Sequence, residues 1–426
     1  MGKNKIIAAI DIGSSKITTL IAQLVVDQVT LDSSLNIVGV AVAQSKGVKK
    51  GQIVDIEDAV EATILSVEAA ERMAGYNLNS AFISVAGGHI GCQNSTGVVA
   101  VSDPNGEVTP GDVERVIEGA KAVSLPTSRE IIHVIPRQFT VDGEQGVKDP
   151  VGMAGVRLEV DTHLVTASAA ALKNLSKTVN EVGIKIDEAV FSGLASSFTT
   201  LTETEKELGC VLVDIGAGTT SVAAFVDGSL SYSSSIPIGA RNVTNDLAIG
   251  LRVSLESAEK IKLALSSKKK QGKVEEKAEF FDIGTLSGEE SKKVSRRTLV
   301  EGIIKPRLNE IFTMVKLDLE KSNIINRIPS GAIITGGGSQ TVGLLESAKK
   351  TLALPVRIGI PTGVTGLIDD IGTPAFSTAV GLILYAKEKE GFKEIPQKNF
   401  APKIKMPTKG IHLPNKIIDI IKNLLP

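Results

Sequence analysis

The sequence has no tryptophan, and its three tyrosines and eleven phenylalanines bring aromatics to only 3% of 426 residues. That argues against the aromatic stacking platforms that bind single-stranded nucleic acid. It also means that the core must be built from Ile, Val, Leu and Ala. Charge of one sign is lacking too: 47 Lys and Arg against 48 Asp and Glu leave a formal net charge of −1, and so no basic field for a nucleic-acid partner. Two cysteines, Cys92 and Cys210, cannot make a disulfide framework, and neither sits in a Cys-x-x-Cys pair. Four scattered histidines (His89, His133, His163, His412) argue against a zinc centre. No 18-residue stretch is both apolar and uncharged, so no membrane-crossing helix is predicted. The opening MGKNKIIAAIDIG holds no secretory h-region, and a cytoplasmic protein is expected. What is present is an apolar share of 42%, enough to exclude general disorder, and a length that suggests two or three domains.

The strongest internal signal is a repeat. IIAAIDIGSSKITTLIAQL near the start is echoed by CVLVDIGAGTTSVAAFVDG at 210–228. Each is a β-branched run, then Asp-Ile-Gly, then small polar residues, then a second β-rich run, which reads as a hairpin. Two copies predict two similar α/β halves. Glycine lets a backbone bend approach a phosphate closely and permits positive φ, and consecutive amides then cradle the anion. The expected donors are Gly13, Ser14, Ser15 and Lys16 in one bend, and Gly216, Ala217, Gly218, Thr219 and Thr220 in the other. Asp11 and Asp214 occupy corresponding positions. Two carboxylates facing phosphates need an intervening cation, and Mg²⁺, which keeps its waters and is held by one or two carboxylates, suits them as an outer-shell ion.

Two further stretches complete the pattern. Gly336, Gly337, Gly338 and Ser339 follow a β-branched run and allow a nucleoside to lie against backbone. Glu259 and Lys262 share a helix face at i and i+3, where they can bracket a ribose and a base. Each piece alone is also an ordinary hairpin, glycine turn or solvated helix face. All four in this order and spacing point to a nucleotide held between two halves. Between these stretches, helices are predicted over 57–74, near 110–123, and over 168–182, 254–266 and 297–322, the last kinked or split at Pro306. Residues 80–86 read as a strand, and 96–163 as a separate small subdomain of short strands and a helix. Residues 391–414, with four prolines among Lys, Gln and Asn, read as a linker.

The final segment is different in character. Ile417, Ile418, Ile421, Leu424 and Leu425 follow helical spacing, while Lys416, Asp419, Lys422 and Asn423 fall on the other side. Such an amphipathic helix is too short to span a bilayer and suited to lying in its interface. With Ile420 on the margin, six aliphatic side chains at about 1.5 kcal/mol each give roughly 9 kcal/mol at full burial, and shallow insertion reaches only part of that. One tail therefore binds weakly, and several on one polymer bind well.

IAAIDIGSSKI, SVAGGHIGCQNSTGVV, HVIP, DPVGM, GLASS, ITGGGSQTVGL and FSTAVGLILYAKE together resemble the FtsA family of actin-like bacterial cell-division proteins, in the actin, Hsp70 and sugar-kinase superfamily. The resemblance covers nearly the whole chain. It implies an actin-like (ribonuclease-H-like) two-domain α/β fold with a nucleotide cleft. One domain would comprise 1–83, 163–192 and the closing helix 371–390, with the family's own subdomain at 84–162. The other would comprise 193–245 and 329–370, with a subdomain at 246–328. A linker at 391–410 and the amphipathic helix at 411–426 would follow. It implies ATP with Mg²⁺ in the cleft, self-association into a filament, and attachment to the inner face of the cytoplasmic membrane at the division site. It also implies binding of the acidic FtsZ tail through Arg296, Arg297, Glu301 and Arg307, and further division proteins as partners. Actin-like ATPases carry a Glu or Gln just before the second phosphate hairpin. Residues 190–195, VFSGLA, offer none, so slow or negligible hydrolysis is expected. Two alternatives stand beside this reading: a pilus-assembly actin-like ATP-binding protein, and a sugar-kinase-like phosphotransferase, for which 84–162 offers no suitable catalytic Asp.

Overall fold

The strands Lys5–Ile12 and Lys16–Val26 pair as an antiparallel hairpin, in register from Lys5 opposite Leu24 to Ile12 opposite Ile17, so the first Asp-Ile-Gly is a hairpin bend. Cys210–Ile215 and Thr220–Val226 do the same, from Cys210 opposite Phe225 to Ile215 opposite Thr220. The computed structural model describes residues 5–26, 33–267, 280–284 and 293–393, and the fold below is that of the unit Met1–Glu388.

Each hairpin nucleates one sheet with the same plan. In the first sheet the order is Lys185–Phe191, Ser80–Val85, Lys5–Ile12, Lys16–Val26, Ser33–Gln44 and Thr365–Gly366. In the second it is Val356–Ile358, Ala332–Thr335, Cys210–Ile215, Thr220–Val226 and Ser229–Ile236. Both pair a three-stranded antiparallel meander with two strands that run parallel to its first member, and in the first sheet Thr365–Gly366 adds a sixth strand parallel to Ser33–Gln44. Cys210–Ile215 is buried at all six positions, which is why its sequence is a continuous apolar run broken only by Asp214.

The helices begin and end where their caps demand. Asp55 accepts from the Asp58 amide at the start of Ile56–Ala74, and Gly75 closes it in the left-handed region at φ 72. Thr109 and Asp112 form a reciprocal capping box on Pro110–Lys121. The segment predicted over 297–322 is divided differently from expectation. Arg296–Leu299 is α-helical, Val300–Ile304 makes a π turn, and Lys305–Lys321 continues as an α-helix. Pro306 is the second residue of the last piece and has no amide to donate, and the π turn directly before it accommodates the missing hydrogen bond.

A third, antiparallel sheet orders Gly91–Ala100, Arg157–Ser168, Arg129–Val141 and Glu144–Val147, and has its own small core that includes Val116, Phe139 and Leu158. It docks on the second half, with His163 Nε2 2.9 Å from Ser233 Oγ. The helix Ser377–Lys393 returns to the first half and buries Ala379, Val380, Leu382 and Ile383 in its core. Among the described residues no helix is long and apolar enough to cross a membrane.

Candidate functional site

Asp11, Ser84 and Asp214 each stand one residue from the end of a strand in the parallel part of a sheet, and Ser192 and Gly336 directly follow such strands. Ligands collect at the carboxyl ends of such strands. Here the two sets of strand ends face one another across a cavity of about 310 Å³. All the residues expected in the site line this cavity except Thr220 and Ser339. Thr220 is fully buried and its hydroxyl donates to the Ile238 carbonyl at 2.9 Å. Ser339 braces the glycine turn by donating to the Gly336 carbonyl at 2.7 Å.

The bends also correct the expected donor set. The Gly13 amide donates to the Lys16 carbonyl at 3.1 Å and the Gly216 amide to the Thr219 carbonyl at 2.8 Å. Those two amides close the bends and are not available to an anion. Nor is positive φ the reason for most of these glycines, since only Gly336, at φ 84, adopts it among the expected site residues. Close approach is the reason. A Cβ on Gly218 would stand 2.8 Å from Ser14 Oγ of the opposite bend, and one on Gly336 would stand 2.2 Å from Asp214 Oδ1.

The carboxylates are held by hydroxyls that the sequence did not single out. Ser84 Oγ donates to Asp11 Oδ1 at 2.6 Å. Ser196 Oγ and Thr378 Oγ1 donate to Asp214 Oδ2 at 2.6 and 2.9 Å. These donors lie 73, 18 and 164 residues from their acceptors, on three separate elements, so no local pattern announces them. Burial raises the pKa of Asp11, against the Ser84 bond and the Lys16 ammonium. Burial pushes Asp214 up to about 6 against its two hydroxyl donors, and the charge of Asp11 pushes it the same way. Burial lowers the pKa of Lys16, whose ammonium rests 3.6 Å from the centroid of the Phe376 ring. Two mutually repelling carboxylates, each with one oxygen occupied by a hydroxyl, make the donor set of a hard cation that keeps its own waters. Among the described residues no cluster of three or more His, Cys, Asp or Glu could enclose a metal by itself.

Glu259 and Lys262 meet as an ion pair at 2.8 Å on the cavity wall, and Lys262 Nζ also donates to Thr244 Oγ1 at 2.9 Å. In 190–195, Ser192 faces the cavity and shares a 2.8 Å hydrogen bond with Ser221. The charged face expected for a partner is partly spent on the chain itself. Arg307 donates two bonds to Asp246 at 2.6 and 2.9 Å and also contacts Glu310. Glu301 accepts from Lys305 at 2.7 Å. Arg296 donates to the Leu265 carbonyl at 3.3 Å, and Arg297 is exposed. Ile417, Ile418, Ile421, Leu424 and Leu425 lie outside the described residues.

Comparison with known proteins agrees with this architecture. Residues 87–166 match the family described as the SHS2 domain inserted in FTSA, and residues 211–381 match cell division protein FtsA. The chain is 39% identical to cell division protein FtsA of Pseudomonas aeruginosa over 386 residues, 91% of this chain and 90% of that one. It is 38% identical to that of Borreliella burgdorferi over 409 residues, 96% and 97% of the two chains. With that of Escherichia coli K12 it shares 35% over 391 residues, 90% and 91%. Among solved structures it is similar to a PilM–PilN type IV pilus biogenesis complex, with a TM-score of 0.60 and 15% identity over 89% of this chain and 98% of that one. It is also similar to MreB5 of Spiroplasma citri bound to ADP, with a TM-score of 0.52 and 12% identity over 92% and 99%. These two show the fold alone. With two matching family models and relatives alike along nine-tenths of its length, the chain belongs to the FtsA family of actin-like cell-division proteins.

Proposed function

We propose that the cleft binds ATP with Mg²⁺, and that the nucleotide-bound chain polymerises and tethers the FtsZ ring to the inner face of the cytoplasmic membrane. One observation carries the nucleotide reading: two glycine bends, one from each half, bring Asp11 and Asp214 to opposite walls of one cavity, with Lys16 beside them. Gly218 and Gly336 leave room for Ser14 and Asp214 to sit against the backbone of the bends, where a Cβ would intrude. When bound, the cation would neutralise phosphate charge, and Asp11 and Asp214 would hold its waters. Lys16 and the bend amides would take the phosphates. Gly337, Glu259 and Lys262 would flank the nucleoside.

In the segment 190–195, where an actin-like ATPase would carry its Glu or Gln, the side chain on the cavity is Ser192, and a serine hydroxyl is a poor base at neutral pH. Hydrolysis is therefore slow and ATP marks a state. Arg296 and Arg297 would receive the acidic tail of FtsZ, since guanidinium forks suit carboxylates. Arg307, committed to Asp246, is left out of that surface. The amphipathic 411–426 segment would anchor the assembly, each tail weakly and the polymer firmly. The family matches do not favour the alternatives.

The test is recruitment of FtsZ to anionic liposomes with Mg-ATP. Wild-type chain is expected to recruit it. Asp214→Ala should lose the calorimetric heat of Mg-ATP binding, and Ile421→Glu should keep that heat but lose the liposomes. Full recruitment by Ile421→Glu removes the anchor, and unchanged heat in Asp214→Ala removes the site.

A further inference from the structure

The short segment Pro374–Thr378 touches a charged group of each half. The Pro374 carbonyl accepts from the Gly336 amide at 3.1 Å. Phe376 lies under the Lys16 ammonium at 3.6 Å. Ser377 shares a 2.6 Å hydrogen bond with Thr335. Thr378 donates to Asp214 Oδ2 at 2.9 Å and stands 3.1 Å from Ser196 Oγ, the other donor to that oxygen. Thr378 is also the second residue of the helix Ser377–Lys393, which buries Ala379, Val380, Leu382 and Ile383 in the core of the first half. Asp214 belongs to the second half, so its carboxylate is aimed by a residue anchored in the first.

We infer that Thr378 is a positioning residue for cation and nucleotide binding. Its hydroxyl fixes the rotamer of Asp214 across the cleft, so that Asp11 and Asp214 present a matched pair. The inference rests on the reading of the cleft as a Mg-ATP site. A carboxylate with one oxygen pinned by two hydroxyls has lost most of its χ freedom before any ligand arrives, and preorganisation of this kind favours binding. Removing one donor frees the side chain and leaves Asp214 with Ser196 alone. The charge-assisted bond is of the stronger class, and its loss should weaken the metal-dependent part of binding about tenfold.

The experiment measures ATP affinity of the full chain with Mg²⁺ and with EDTA, for wild type, Thr378→Val and Thr378→Ser. Valine keeps the shape of threonine and removes the hydroxyl, whereas serine keeps the hydroxyl. The expected result is that Thr378→Val loses about tenfold of the Mg²⁺ enhancement with little change in EDTA, and that Thr378→Ser restores it. Thr378→Val matching wild type, or Thr378→Ser failing like Thr378→Val, overturns the inference and leaves the site reading intact. Wild-type chain with no Mg-ATP affinity overturns both. Should Thr378→Val not fold, as judged by its melting without nucleotide, Ser196→Ala removes the other donor to the same oxygen. The same loss of Mg²⁺ enhancement supports the inference, and no loss overturns it.

Discussion

At the scale of single residues the site is governed by where a Cβ cannot be. Gly336 has φ 84, and any side chain there would begin 2.2 Å from Asp214 Oδ1 and 2.5 Å from the Ile215 carbonyl. Its neighbour Gly337 has only Ala375 Cβ nearby, at 3.7 Å. The two glycines look alike in sequence and differ in what they permit. Gly336→Ala is expected to destabilise the chain by about 1–3 kcal/mol from backbone strain alone, with the clash added. Gly337→Ala should melt close to wild type. Thermal unfolding of the two variants without nucleotide checks this, and equal melting would mean that the turn at 336 relaxes freely. The glycine triplet was legible as a site signal because three glycines follow a β-branched run. That the first and third bear a constraint and the second does not was not legible, because it depends on Asp214 and Ile215, more than a hundred positions away.

At the scale of elements, the segment Arg296–Lys321 shows how much of a charged stretch the fold takes for itself. The family resemblance groups Arg296, Arg297 and Arg307 as partner residues. In the fold Arg307 is clasped by Asp246, 61 residues upstream, which raises its already high pKa. The π turn at Val300–Ile304 shifts the register between the two groups of arginines by one residue, so helical-wheel arithmetic across it fails. The pair is only about a quarter exposed on each side. Arg307→Ala should therefore cost about 1–3 kcal/mol, measured by urea unfolding, because it strands Asp246 in a partly desolvated place. Arg297→Ala should leave stability within about 0.5 kcal/mol, as exposed substitutions do. Yet it should be the variant that weakens binding of an acidic peptide. The reverse pattern would move the partner surface to Arg307. The hairpins, by contrast, were readable because a strand's apolar run and its bend are contiguous, whereas a clasp between distant helices is not written in either one.

At the scale of the whole molecule, three cores pack into one unit, and one histidine is buried in the joint between the small subdomain and the second half. His163 has no exposed surface and bridges Asn94 Oδ1 at 2.8 Å and Ser233 Oγ at 2.9 Å. A neutral imidazole satisfies both, donating from Nδ1 to Asn94 and accepting the Ser233 hydroxyl at Nε2. Protonation would replace that acceptor with a donor, beside the Arg137 guanidinium. Burial first and Arg137 second push its pKa from 6.5 down to about 3. The unfolded or undocked histidine takes up a proton below about pH 6.5 while the docked one does not, so the docked state is fully favoured above that pH and loses ground as pH falls toward 3. Between pH 6.5 and 5 the loss approaches about 2 kcal/mol. His89, also lowered by burial and by Arg129, acts in the same direction, so the total acid sensitivity belongs to both. Comparison with His163→Gln isolates one of them. The substituted chain should show a flatter fall in stability over this window. Hydrogen exchange at pH 5 should be slower in the variant than in wild type along Gly91–Ala100 and Ser229–Ile236, the strands that carry Asn94 and Ser233. If wild type and His163→Gln lose stability with the same slope, the joint is insensitive to protons and the subdomain is held by its apolar contacts.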